Sequence, residues 1–109
     1  METIPDKWVV IKITKEGKDT IYKVYATFSD DNWRVNSGIM SVEQGDGHLI
    51  FIGYSGSRYI CKDDCYGLSS YSGWVLSNMI NRATEVDAEI TILDYDHDFL
   101  NLVVAPENK

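Results

Sequence analysis

Proline, cysteine and histidine each occur only twice in this 109-residue chain, and ten lysines and arginines stand against seventeen aspartates and glutamates. Each scarcity excludes something. The two cysteines, Cys61 and Cys65, are spaced C-x3-C with no second pair, which neither completes a structural zinc set nor builds a disulfide scaffold. With two histidines and no G-x-S-x-G elbow, no Ser-His-Asp arrangement is legible. Neither G-x-x-x-x-G-K-S/T nor G-x-G-x-x-G occurs, so there is no phosphate loop, and no cofactor is implied. A net charge of −7 argues against nucleic acid, whose binders depend on clustered basic residues that displace counterions.

Long apolar runs are missing too. Val9-Val10-Ile11 and Trp74-Val75-Leu76 fall far short of the roughly 18 residues of a membrane span, and METIPDK does not read as a signal peptide, so a cytoplasmic protein with no membrane partner is expected. With 44% apolar and 25% charged residues the composition is globular, and the length fits one domain over residues 1–109.

Tyrosine, serine and glycine are the residues in local excess. Residues 53–74, GYSGSRYICKDDCYGLSSYSGW, hold four Tyr, five Ser and four Gly in their first twenty-one positions. Rigid amphipathic tyrosine gives contact area at low entropy cost, while serine and glycine supply adaptable hydrogen bonds, the chemistry of a recognition loop. The residues assigned to binding are Tyr54, Ser55, Ser57, Arg58, Tyr59, Tyr66 and Tyr71. The competing reading is that these tyrosines pack a helix on a sheet and that the small residues make turns. Beyond Arg82 the chain turns acidic, and Glu89, Asp94, Asp96 and Asp98 form a candidate electrostatic surface. The run Asp94-Tyr95-Asp96-His97-Asp98 begins like an EF-hand loop, but Phe99 stands where glycine is needed and Ala105 where the bidentate glutamate belongs.

Periodicity predicts an α+β fold: a twisted, mainly antiparallel sheet or partly closed barrel built from hairpins, with one helix packed on it. Residues 8–14 place Val9, Ile11 and Ile13 on one face, and residues 20–27 follow the turn KEGKD as a hairpin partner. Residues 33–35 and 39–43 are separated by the Asn36-Ser37-Gly38 break. Asp46-Gly47 marks a tight turn into 48–54, and Ser55-Gly56-Ser57 turns the chain again into 58–61. Pairing Tyr54 with Arg58 across that turn places Phe51 opposite Cys61 and His48 near Asp64 and Cys65. The strand HLIFIGY is apolar on both faces and so needs cover on both. A helix over about 70–84, capped by Ser69 or Ser70, offers Leu76, Met79, Ile80 and Ala83 as its apolar stripe. Residues 88–93 and 99–104 read as a last hairpin. Trp8, Trp33, Phe51 and Trp74 are expected in the core.

Three classes of function are open. The first is a non-catalytic protein that binds a protein partner, an inhibitor or adaptor acting by occupancy. The second is a binder of an anionic or nucleotide-like small molecule, oligomeric in one version, with the tyrosines and Arg58 lining its pocket. The third is a thiol- or metal-dependent enzyme that uses Cys61, Cys65 and His48.

Overall fold

A computed structural model describes residues 2–30 and 32–102. Among these residues eight strands run in chain order: β1 (Glu2–Thr3), β2 (Lys7–Lys15), β3 (Ile21–Thr27), β4 (Trp33–Val35), β5 (Ile39–Gln44), β6 (His48–Gly53), β7 (Arg58–Lys62) and β8 (Ala88–Ile92). One α-helix, α1 (Ser70–Ala83), continues into a 3-10 turn at Thr84–Val86. The strands form two four-stranded sheets ordered β1-β7-β6-β5 and β4-β3-β2-β8, mainly antiparallel, with a parallel β1–β7 pair. They do not close into a barrel.

Three layers result. β2 is apolar at successive positions, so alternation sends its residues to both faces. Trp8 and Val10 meet Val24, Ala26, Ile39, Phe51, Tyr59 and Cys61 in a core between the sheets. Val9 and Ile11 join Tyr25 and Leu76 in a second core, onto which Met79, Ile80 and Ile90 pack. The β4-β3-β2-β8 sheet is therefore central, with the other sheet on one face and α1 on the other. The helix begins where Ser69 accepts the Ser72 N–H and the Ser72 hydroxyl accepts the Ser69 N–H, a reciprocal cap that satisfies two end donors.

Three expectations are corrected. Residues 88–92 do not fold back on 99–104 as a hairpin. They pair with β2 in the register Ile13↔Ile90, because β2, paired with β3 on one side, has backbone N–H and C=O groups on its other edge to be satisfied. Residues 99–101 form a 3-10 turn whose Phe99 plugs the inter-sheet core, and 103–104 lie outside the described residues. The β6–β7 register is Ile52↔Arg58 and Leu49↔Cys61, two residues from the predicted pairing. The cause is the turn: Gly53 N–H donates to the Ser57 carbonyl (2.9 Å) and Gly56 N–H to the Gly53 carbonyl (2.9 Å), which leaves a three-residue loop closed by Gly56 at φ +90°. Finally, the helix covers the central sheet and not the second face of β6.

Candidate functional site

The segment predicted as one recognition surface is divided by the fold. Tyr54 sits in the β6–β7 turn and is 40% exposed. Its ring lies over Gly38, where an added Cβ would fall 2.8 Å from Tyr54 Cδ2, and its N–H donates to the Gly38 carbonyl (3.0 Å). Ser55 N–H donates to Ser37 Oγ (2.9 Å), and the Ser55 and Ser57 hydroxyls are 3.4 Å apart. These serines stitch the turn to the 36–38 loop. Arg58 points to the outer face of β7, with Nε 3.5 Å from Glu2 Oε2 and a terminal nitrogen 3.8 Å from Glu43 Oε1.

Two of the seven residues face inward. Tyr59 is 3% exposed in the inter-sheet core, so it is not available to a partner, and burial raises its phenol pKa. It pairs with Phe51, and alternation sends both inward. Tyr66 packs on both cores, and its hydroxyl joins two strands. It accepts the Val10 N–H (3.2 Å) and donates to the Leu93 carbonyl (2.6 Å), filling the place of a ladder bond just beyond the β2–β8 pairing. Desolvation raises its pKa, partly offset by the Val10 N–H. For Tyr59 and Tyr66 the packing reading of the sequence is the one that fits.

Tyr71 is different, and it has company. At the second position of α1 it is 46% exposed, with its ring centroid 6.2 Å from that of Trp74, which is 64% exposed. Beside them the Tyr25 hydroxyl donates to the Ser72 carbonyl (2.9 Å), anchoring the first turn of α1 to β3. Trp33, 42% exposed, stacks on the Tyr25 ring at 5.8 Å. Burial, and to a lesser degree the nearby Tyr71 phenol, raises the Tyr25 pKa. Tyr25 thus forms the floor of a surface on which Trp33, Tyr71 and Trp74 stand exposed. Trp33 and Trp74 were expected in the core, and the structure puts both outside. For Trp74 a signal existed: it lies two residues, roughly 200° of helical turn, from Leu76 in the apolar stripe. Trp33 carried no such signal, because a three-residue strand is too short to show a period.

The remaining candidates do not assemble into a reactive centre. Cys61 is fully buried, and desolvation pushes its thiol well above the ordinary range. The Cys65 thiol is also raised, by desolvation first and then by its contact with Asp64 (3.4 Å). His48 pairs with Lys62 and turns its ring over Gly45, with Nδ1 3.1 Å from the Asp46 carbonyl. It shares a shallow cleft with Asp64, but Cys65 does not line that cleft. Among the described residues no group of three or more His, Cys, Asp or Glu side chains is placed to hold a metal ion.

Glu89 on β8 and Asp94, Asp96 and Asp98 in the following loop are all exposed, and Asp98 Oδ2 accepts from Asn101 Nδ2 (2.7 Å). An open cleft of about 680 Å3 between β1 and β4 is walled by Glu2, Asp6, Asp30, Trp33 and Arg34. Its excess of carboxylates does not suit an anionic ligand. Tyr59 and Tyr66 face inward and Arg58 outward, so these side chains do not converge on one pocket. Among the described residues no helix is long and apolar enough to cross a membrane. Compared with known proteins, the chain matches no family model, no curated protein and no solved structure.

Proposed function

We propose that this is a non-catalytic, cytoplasmic binding protein that acts by occupancy, as an inhibitor or adaptor, and that it meets its partner protein through Tyr71, Trp74 and Trp33. The observation that carries this reading is the exposure of those three rings around the buried Tyr25–Ser72 contact. Single exposed apolar side chains are ordinary, but adjoining ones are not. Tryptophan and tyrosine are also the residues that most often dominate binding energy, since a rigid ring desolvates a large area with few rotamers to freeze. Tyr25 and Ser72 hold the platform in place before any partner arrives, which lowers the cost of ordering it. The exposed carboxylates at 89–98 make a second, electrostatic contact that acts on association rate more than on affinity.

The test begins with native mass spectrometry of protein purified from its own host, which retains a bound partner. Trp74→Ala, Tyr71→Ala and Trp33→Ala are then compared for affinity and melting temperature. Losses of about 30-fold or more in affinity, roughly 2 kcal/mol, are expected for at least one of them with melting little changed. Full affinity in all three variants refutes the assignment.

A further inference from the structure

We infer that the outer face of the β1-β7-β6-β5 sheet is a self-association surface, covered in solution by a second copy of this chain. A four-stranded antiparallel sheet with one face on the core is expected to be polar on the other. Here the outward positions of β6 and β7 are His48, Ile50, Ile52, Arg58, Ile60 and Lys62. Ile50, Ile52 and Ile60 stand side by side at the centre, through the pairs Ile50↔Ile60 and Ile52↔Arg58. They are only partly buried and pack on neither core of the described residues. Glu2 pairs with Arg58 at the edge of this face, and Ile4, just past β1, is 57% exposed. The central sheet has a more uniformly apolar face in Val9, Ile11, Ile13, Val35 and Ile90, and there the chain supplies α1 as cover. On this sheet it supplies none among the described residues.

Charge identifies the occupant. The face carries Arg58 and Lys62 against Glu2 and Glu43, a balance of zero in a chain of net charge −7. A basic partner would be drawn to the acidic remainder of the surface. Two copies of an acidic chain repel one another elsewhere, and this face lets them meet without stacking like charge. It also carries both signs, as a two-fold interface in which one patch must complement itself requires.

Size sets the strength. Strands of two, five, six and six residues, spaced about 4.8 Å apart with roughly 3.3 Å per residue, present a plane of only about 300 Å2, against about 800 Å2 per partner in a standard interface. The dimer is therefore weak and exchanging. This surface lies on the far side of the domain from α1, so the aromatic platform stays free in the dimer, and failure of either proposal leaves the other standing.

Sedimentation velocity on the whole chain, from about 5 to about 500 µM, spans the weak-complex regime. The weight-average mass is expected to rise toward that of a dimer, and to rise further with added salt, which screens the repulsion between the two acidic bodies. Ile50→Lys, which puts like charges at the centre of the contact, should hold the protein monomeric over the whole range. Its melting temperature at low concentration should fall by no more than the roughly 4 °C of a lost cross-strand pair, because position 50 is outward. Should Ile50→Lys not fold, Ile60→Thr supplies the same reading with a side chain suited to a strand. A parent that stays monomeric at all concentrations and salts overturns the inference. So does a dimer that survives both substitutions, since its contact must then lie on another face.

Discussion

Neighbouring residues of β6 should differ sharply in what they contribute to stability, and Phe51 against Ile50 is the sharpest comparison. Phe51 is fully buried, with ring centroids 5.4 Å from Trp8 and 6.3 Å from Phe99. Phe51→Ala removes its transfer energy and leaves a cavity that a strand paired along both edges cannot readily collapse, at a cost of about 3–5 kcal/mol. A domain near this size loses about 4 °C or more for each kcal/mol, so its melting point should fall by roughly 12–20 °C. Ile50 points the other way, belongs to neither core and is paired with Glu43 and Ile60. Ile50→Ala should cost about 1 kcal/mol, the scale of a cross-strand pair, or roughly 4 °C. Thermal and urea unfolding followed by circular dichroism, at about 5 µM to keep self-association small, measures both. A Phe51→Ala protein within about 2 °C of the parent would refute the two-sheet core. Equal losses at the two positions would show that the outer face of β6 is covered within the single chain.

Tyr66→Phe deletes one oxygen but strands the Val10 N–H and the Leu93 carbonyl, so a loss of about 1–3 kcal/mol in urea unfolding is expected; a neutral result would mean that the two groups find each other or water. Folding raises the pKa of Cys61, Tyr25, Tyr59 and Tyr66. These groups ionise first in the unfolded chain, so the unfolded state binds fewer protons as pH climbs. Their contribution, whole below the unfolded values, is lost from about pH 8.5 upward for the thiol and about pH 10 for the phenols. Unfolding free energies that stay level from pH 8 to pH 11 would contradict this sign. In a thiol-reagent assay Cys65 should react in the native protein and Cys61 only after denaturation, and chelator should leave melting unchanged; native labelling of Cys61 would place it outside the core.

Local signals in the sequence translated well and long-range ones did not. The helix is found at Ser70–Ala83 against an expected 70–84, since the serine cap and the Leu76, Met79, Ile80 and Ala83 stripe are both written within a few residues. The β6–β7 pairing slipped by two because the residues of a turn do not say which glycine closes it. The inward and outward sets survived, since side chains repeat every second residue and a slip of two preserves the face. The pairing of β8 with β2 was illegible, as the partner lies some eighty residues away and only packing decides which edge is open. The site failed for a related reason. Tyrosine and tryptophan serve cores and surfaces alike, so composition around residue 58 could not tell the buried Tyr59 from the exposed Tyr71.

Because β2 is apolar on both faces, greasiness cannot tell it where to stop. Sliding Trp8–Val9–Val10–Ile11 by one place would exchange one apolar set for another, and the usual penalty for misalignment vanishes. What indexes the strands is a handful of directional polar bonds: Trp8 Nε1–H to the Lys62 carbonyl (2.8 Å), Val10 N–H to the Tyr66 oxygen (3.2 Å), and Val24 N–H to Asn36 Oδ1 (2.9 Å). Asn36 performs this service at some expense, for its Nδ2 is buried with no hydrogen-bond partner among the described residues. These few atoms behave like the notches of a key, adding little to the mass of the core while deciding which of several equally oily alignments is the native one.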